Sequence, residues 1–244
     1  MSTFFSGCLL FLTQNTYFAN QSTLMKESTR HPLDQLRDIH RLMERTSRFI
    51  GLSGLSGVGA GCFALAGAVL AQWYLLAGGL ASYGHSLYHW PATVHPWGWS
   101  PEVFFTLDAC FILAGALSSG IYFTTRRAQR KGQAIWDALT QRLLLNLAIP
   151  LLAGGIFCLA LFYHGIPGLV APTTLIFYGL ALINGSKYTL NELYYLGLCE
   201  LVLGSVGLFF IGSGLLLWTL GFGVLHIGYG VFMYRKYERN PSSP

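Results

Sequence analysis

Two ionisable residues lie inside apolar stretches near the carboxyl end of the chain. Glu200 falls in the apolar run 193–211, and His226 falls in the next run, 214–234. A charged side chain at the centre of a bilayer costs at least about 2.5 kcal/mol, so such residues pair with one another or carry function. Histidine changes charge near neutral pH and intramembrane acids form proton relays, so the two residues are candidates for a proton-linked site. Imidazole is also a ligand for metal ions and haem iron.

The residues around each ionisable side chain predict helix faces made of small residues. One face has spacings of 3, 4 and 3 residues and the other has 4, 3 and 4, as a helix requires. The first comprises Gly197, Glu200, Gly204 and Gly207, and the second comprises Thr219, Gly223, His226 and Gly230. Glu200 and His226 lie at similar distances from the turn near Gly212, so their depths differ by about 3 Å. We therefore predict that the two faces pack together and that Glu200 contacts His226, which would fix one helix to the other.

Asp108 is a second intramembrane polar candidate, about one and a half turns into the apolar run 103–124. A separate group of histidines falls on the side of the membrane opposite the basic residues. It comprises His85, His89, His95 and His164, of which the first two are four residues apart. A metal or haem site formed by these histidines is an alternative. Against it, residues 83–99 contain no HExxH motif, and their Trp and Tyr residues are typical of a membrane interface.

The composition predicts an all-α polytopic membrane protein. Hydrophobic residues make up 53% of the 244 residues and charged ones only 10%, against about 25% in soluble domains. Six apolar runs have the length of a membrane-crossing helix, which is about 20 residues. We place them at 51–80, 103–124, 143–163, 168–184, 193–211 and 214–234. They predict one six-helix transmembrane bundle over residues 51–239, which leaves no space for a soluble catalytic domain.

The basic residues predict the orientation of this bundle. All fifteen Lys and Arg residues fall into four segments: before the first run, between the second and third, between the fourth and fifth, and after the sixth. With six helices these segments share one side, so the positive-inside rule predicts that both termini are cytoplasmic. The net charge of +5 therefore reflects membrane topology, and we expect no binding to nucleic acid.

The residues before the first apolar run form two further segments. Residues 1–24 combine a short apolar patch with aperiodic polar residues, which predicts a flexible leader or a misassigned start site. Over 25–50, apolar residues recur at helical spacing between charged ones, so we predict an amphipathic helix along the cytoplasmic interface. This helix would dock a cytosolic partner or anchor the first span. Gly54, Gly57 and Gly61 open that span and predict close helix packing, inside the bundle or between protomers.

Four stretches of the chain carry a resemblance to a known family. They are MERTSRFIGLSGLSG at 43–57, NGSKYTLNE at 184–192, YLGLCE at 195–200 and GFGVLHIGYG at 221–230. On these stretches the chain resembles a family of uncharacterised polytopic inner-membrane proteins from Bacteroidota, over most of its length from residue 43 onwards. The resemblance implies a bacterial inner-membrane location, and it assigns no catalytic residues.

These observations lead to three hypotheses about function. The first is a non-catalytic inner-membrane component with an accessory, sensory or interaction role, whose partners are the lipid bilayer and either another protein or further copies of itself. The second is a small proton-coupled transporter or channel that uses Glu200 and His226. The third is a redox protein that binds haem or a metal through the external histidines. Only the third hypothesis requires a cofactor.

Overall fold

The computed structural model describes residues 53–78, 96–130, 132 and 136–239, and all of them belong to one unit, Arg48–Pro244. Six long helices follow one another in these described residues. They are α1 (Gly54–Ala77), α2 (Pro101–Arg130), α3 (Ala138–Tyr163), α4 (Val170–Gly185), α5 (Glu192–Phe209) and α6 (Gly214–Arg239). Short 3₁₀ turns extend α4 at both ends, so that the fourth apolar segment covers Pro167–Tyr188. The described residues contain no strand.

All six helices are long and apolar enough to cross a membrane, which confirms the predicted all-α fold with six spans. The largest difference from the predicted bounds is in α2, which ends at Arg130 rather than near residue 124. Arginine and glutamine are good helix formers, so the helix continues beyond its apolar part. Several predicted features lie outside the described residues: the leader 1–24, the amphipathic segment 25–50, and His85, His89 and His95.

Local sequence signals set both ends of α3. Asp137 caps its start, because the carboxylate accepts a hydrogen bond from the Thr140 amide at 2.7 Å. Gly165 follows its end in a left-handed conformation with φ of 69°, which glycine adopts without steric cost. The Ile166 amide then bonds back to the Leu161 carbonyl at 2.8 Å, as in a Schellman motif. Asp137 and Gly165 therefore determine where α3 begins and ends.

The helices pack as two groups of three. In the first group α1 packs between α2 and α6, and in the second group α4 packs between α3 and α5. The groups meet mainly where the first half of α6, residues 214–225, packs on α4 and α5. Packing within each group is far more extensive than packing between the groups. The outer helices α2 and α3 keep most of their apolar surface exposed, as expected for helices that face lipid.

Glycines bring α1 and α6 into backbone contact within the first group. A Cβ atom built on Gly54 would lie 2.4 Å from the Tyr234 nitrogen and 2.5 Å from the Gly230 oxygen. One built on Gly61 would lie 2.9 Å from the Gly223 oxygen. Gly57 also faces Gly230, at 3.3 Å from its Cα atom. Gly54, Gly57 and Gly61 therefore all lie against α6, inside the bundle.

A second glycine contact joins α4 to α5. A Cβ atom on Gly197 would lie 2.8 Å from the Gly179 oxygen, and one on Gly204 would lie 2.8 Å from the Pro172 oxygen. Gly207 also faces Pro172, at 3.0 Å from its Cβ atom. The glycine face of α5 therefore packs on α4.

The predicted pairing of the two glycine faces is wrong. Gly197 and Gly204 of α5 contact α4, whereas Gly223 and Gly230 of α6 contact α1. A face of small residues permits a close approach by any helix whose own surface is small, so the pattern does not specify the partner. Here α1 and α4 supply the facing glycines, and the hairpin helices α5 and α6 are joined by other contacts.

The helix ends that carry the described basic residues meet at one end of the bundle, which we call the basic end. Glu238, in the last turn of α6, accepts hydrogen bonds there from the Gly54 amide at 2.7 Å and the Ser53 hydroxyl at 3.1 Å. It also pairs with Arg127 of α2 at 3.2 Å. An acidic side chain next to the first amides of a helix satisfies free donors and favours the helix dipole. Glu238 therefore caps α1 from the far end of the chain.

A second polar contact at the basic end joins the two groups. Glu192, at the start of α5, accepts hydrogen bonds from Lys236 at 2.5 Å and from the Tyr237 hydroxyl at 2.7 Å. At the opposite end of the bundle, the buried Tyr74 donates to the Trp99 carbonyl at 2.8 Å within a cluster of aromatic rings. The two ends thus differ in chemistry, as the charge pattern predicted.

Candidate functional site

Glu200 and His226 meet between α5 and α6. The Oε1 atom of Glu200 lies 3.3 Å from Nδ1 of His226, so the predicted contact is present. Glu200 is fully buried, with 0% of its surface exposed, and His226 is 4% exposed. Glu200 lies eight residues inside the start of α5 at Glu192, about 12 Å from the basic end. The pair therefore lies well within the apolar part of the bundle.

Both ring nitrogens of His226 have hydrogen-bond partners. Nε2 lies 2.8 Å from the Tyr178 hydroxyl of α4, and Nδ1 lies 3.0 Å from the Gly221 carbonyl oxygen. A carbonyl oxygen only accepts, so Nδ1 must carry a proton. Nε2 then accepts from Tyr178 when the ring is neutral, and donates to the Tyr178 oxygen when the ring is a cation. The site therefore joins three helices, because Tyr178 brings α4 into contact with the pair.

The Glu200 carboxylate is closely packed, and among the described residues it makes an ion-pair contact with His226 but no hydrogen bond. Neither oxygen has a hydrogen-bond partner among the described residues. A Cβ atom on Gly221 would lie 2.3 Å from Oε2 of Glu200 and 2.6 Å from the Leu175 side chain, so the absent side chain leaves space for the carboxylate. A buried acceptor without a hydrogen bond costs about 1–3 kcal/mol, and more when it is charged. This cost calls for an explanation beyond stability.

The helix that carries His226 changes its winding beside the site. α6 begins as an α-helix over Gly214–Trp218, becomes a π-helix over Thr219–Leu225, and resumes as an α-helix at His226. Such wide turns are rare and occur frequently at functional sites. The Thr219 hydroxyl donates to the Leu215 carbonyl at 2.7 Å, a side-chain bond that competes with regular helix bonding. The π-helical segment places Gly221 against the Glu200 carboxylate. It also places the carbonyl oxygen of Gly221 against the His226 ring.

These contacts allow the pair two forms with no net charge. In one form Glu200 is a carboxylic acid, and the neutral His226 ring accepts from Tyr178. In the other form Glu200 is a carboxylate, a proton occupies Nε2 of His226, and Tyr178 accepts. The hydroxyl of Tyr229 is also buried and has no hydrogen-bond partner among the described residues.

Apolar side chains separate the site from the basic end. Leu182, Leu193 and Leu196 form a buried cluster, and Tyr178 and Tyr229 pack against it. Leu193 and Leu196 lie between Glu192 and Glu200 along α5, so the cluster fills the space on that side of the site. The intramembrane pair is thus a buried site at the junction of the two groups.

The other predicted site residues lie apart from this junction. Asp108 faces α1, where a Cβ atom on Gly67 would lie 3.2 Å from its Oδ1. That oxygen is buried without a hydrogen-bond partner among the described residues. His164 is exposed at the end of α3, beside the Tyr163 ring. No three His, Cys, Asp or Glu residues of the described ranges are placed to hold a metal ion, and His85, His89 and His95 fall outside those ranges.

Three residues of the site were not predicted. Tyr178 and Tyr229 are two of thirteen tyrosines, and neither interrupts the apolar pattern of its helix. Gly221 falls two residues before the glycine face of α6, and its role depends on the π-helical winding. The one available signal was spacing, since Tyr229 follows His226 by three residues and therefore lies near it on a helix.

Comparisons with known proteins find no match to this chain among protein-family models, curated proteins or solved structures. A function for this chain is therefore argued from the geometry of the site.

Proposed function

We propose that the protein is a non-catalytic, proton-responsive component of the bacterial inner membrane, in which the Glu200–His226 pair binds and releases a proton. This is the sensory form of the first hypothesis. The two three-helix groups meet at the pair, so a change in its protonation alters the contact between them. The protein itself catalyses no reaction, and its partner is another membrane or cytosolic protein that responds to this contact.

One observation carries the proposal: a fully buried carboxylate lies 3.3 Å from a buried histidine and makes no hydrogen bond with any described residue. A carboxylate placed only for stability would be expected to have its oxygens satisfied. An ionisable group within a membrane helix is a functional candidate for the same reason. The π-helical segment beside it supports this assignment, because its backbone has an alternative, regular winding.

The location and topology form part of the proposal. The described Lys and Arg residues lie at the basic end, which supports a cytoplasmic orientation for that end under the positive-inside rule. An even number of spans then leaves both termini in the cytoplasm. The resemblance to inner-membrane proteins of Bacteroidota supports the choice of membrane.

The test is infrared difference spectroscopy of the protein in lipid nanodiscs after a pH step. We expect a protonation band of a carboxylic acid together with a tyrosine ring band. Glu200→Gln should remove both, whereas Tyr178→Phe should remove the tyrosine band and retain the acid band. Asp108→Asn is the matched control, because Asp108 is a half-buried acid of another helix pair, and it should retain both bands. A wild-type spectrum that Glu200→Gln leaves unchanged would refute the proposal.

A proton-coupled transporter remains the second candidate, because the same site lies at a junction of two helix groups. In many transporters substrate and ion sites lie between bundles that move against each other. Reconstitution into liposomes with an internal pH indicator distinguishes the two. The sensory proposal predicts no protein-dependent proton flux under an imposed gradient. A flux that Glu200→Gln abolishes would favour the transporter instead.

A further inference from the structure

A groove runs along the exposed face of α2 toward the basic end. It has a volume of about 770 Å³ and is lined by Ser118, Ile121, Tyr122, Thr125, Arg126 and Gln129. The residues recur at helical spacing, so they form one stripe on a helix that packs mainly on α1. The groove therefore lies on the surface that faces lipid.

The two adjacent arginines of α2 have different environments. Arg127 is only 6% exposed and pairs with Glu238 at 3.2 Å. Arg126 is exposed, donates to the Tyr122 hydroxyl at 3.2 Å, and lies 5.9 Å from the centre of that ring. No acidic residue among the described ones pairs with Arg126. A guanidinium has five N–H donors, so most of those of Arg126 remain for another acceptor.

Two described acids at the basic end have other partners. Asp137, seven residues after Arg130, accepts a hydrogen bond from the Thr140 amide at the start of α3. Glu238 accepts from α1 and pairs with Arg127. None of the described residues that line the groove is acidic. This described lining thus carries one positive charge, that of Arg126, and no negative one.

The groove is apolar at one end and polar at the other, as a phospholipid has apolar acyl chains and a polar headgroup. Ile121 and the Tyr122 ring supply an apolar part farther from the basic end. Thr125, Arg126 and Gln129 supply polar groups nearer to it. The Thr125 hydroxyl already donates to the Ile121 carbonyl, so its oxygen remains an acceptor. Arginine binds phosphate oxygens through paired N–H groups, and glutamine can bond glycerol hydroxyls.

We propose that this groove binds the headgroup of an anionic phospholipid, with Arg126 on its phosphate. Charge decides between lipid classes. A zwitterionic headgroup carries a cation that would need an acidic neighbour, and the lining residues provide none. An anionic glycerol headgroup needs donors for its phosphate and hydroxyl partners for its glycerol, and the groove supplies both. This site is independent of the Glu200–His226 pair.

The experiment measures thermal unfolding of the full chain in a nonionic detergent during titration with phosphatidylglycerol or phosphatidylcholine. We expect a saturable rise in melting temperature with phosphatidylglycerol only. Arg126→Gln should weaken the apparent affinity roughly fivefold, as expected for one arginine at an anionic surface. The substitution should not disturb the fold, because Arg126 is exposed and bonds only to Tyr122 in the described structure.

Arg142→Gln is the matched control, since Arg142 is an exposed arginine at the same end of the bundle and outside the groove. It should retain the wild-type response. An equal response to phosphatidylcholine would overturn the proposal, and so would an equal loss in Arg142→Gln. Ile121→Cys provides a third measurement. Efficient disulfide formation between two copies in native membranes would show that a second protein chain covers the groove, which would also overturn the proposal.

Discussion

The glycine contacts within each group and the polar contact between the groups hold helices together by different means. Between α1 and α6, backbone atoms of Gly54 and Gly230 approach so closely that no side chain fits. Between α5 and α6, the side chains of Glu200 and His226 meet, and the carboxylate lacks hydrogen bonds among the described residues. A backbone contact has one geometry, whereas a pair of titratable side chains changes its hydrogen bonds with each proton. We therefore expect two rigid groups and a junction that responds to protonation.

The largest expected effect comes from removing one member of the junction pair. His226→Leu leaves Glu200 without its cationic partner in the described structure, and an uncompensated buried charge destabilises by about 3 kcal/mol. The double variant Glu200→Leu with His226→Leu should recover most of that loss, because an apolar pair needs no hydrogen bonds. Unfolding in a mild detergent measures both. Additive losses in the double variant would show that the two side chains do not interact.

A smaller effect is expected from disturbing the glycine contact of the first group. Gly230→Ala places a Cβ atom 2.6 Å from the Gly54 oxygen and the Val58 nitrogen, and overpacking of this kind costs about 2 kcal/mol. Gly228→Ala is the matched control two residues earlier, because a Cβ atom there has nothing within 4 Å. Comparison of their melting temperatures checks the prediction. Equal stability of the two variants would show that α1 and α6 can separate without cost.

The cap that Glu238 provides to α1 should contribute less. Glu238→Ala removes the acceptor of the Gly54 amide and the partner of Arg127, which we expect to cost about 1 kcal/mol, as for other helix caps. Arg239→Ala is the adjacent exposed control and should be neutral. Hydrogen exchange of the first turn of α1 gives a local measurement. Faster exchange there in Glu238→Ala alone would support the assignment, and unchanged exchange would contradict it.

The smallest effect should come from the second polar contact between the groups. Tyr237→Phe removes one hydrogen bond to Glu192 and leaves the one from Lys236, so the expected loss is about 0.5 kcal/mol. Tyr234→Phe, in the same helix, has no hydrogen bond from its hydroxyl among the described residues and serves as the control. Denaturant unfolding of the Tyr237→Phe and Tyr234→Phe variants measures the difference in their free energies of unfolding. A loss above that of His226→Leu would place the main contact between groups at the basic end instead.

Much of the fold could be predicted from the sequence. Membrane helices must satisfy their backbone internally and match the bilayer in length, so six apolar runs suffice to count six spans. Helix ends were less certain, as in α2, because arginine continues a helix beyond the hydrocarbon. The Glu200–His226 contact was predictable because two adjacent antiparallel helices bring residues at equal distance from their turn to equal depth.

The rest of the site could not be predicted from one sequence. A small-residue face gives no information on its partner, so Gly197 and Gly223 could not be assigned to α4 and α1. The hydrogen bond of Tyr178 depends on how α4 is rotated, which tertiary packing decides. The π-helical winding over Thr219–Leu225 has no simple sequence signal, and it determines the position of Gly221.

The cap on α1 has a consequence for the order of assembly during synthesis. The Gly54 amide and its acceptor Glu238 are 184 residues apart, so α1 waits for the end of α6 for roughly 10–40 s at about 5–20 residues per second. Throughout that time α1 lies in the membrane with its glycine face uncovered by α6. α1 is therefore made before the other described helices and is among the last of them to reach its final contacts. A chaperone or insertase that shields this face would have to release it when α6 arrives.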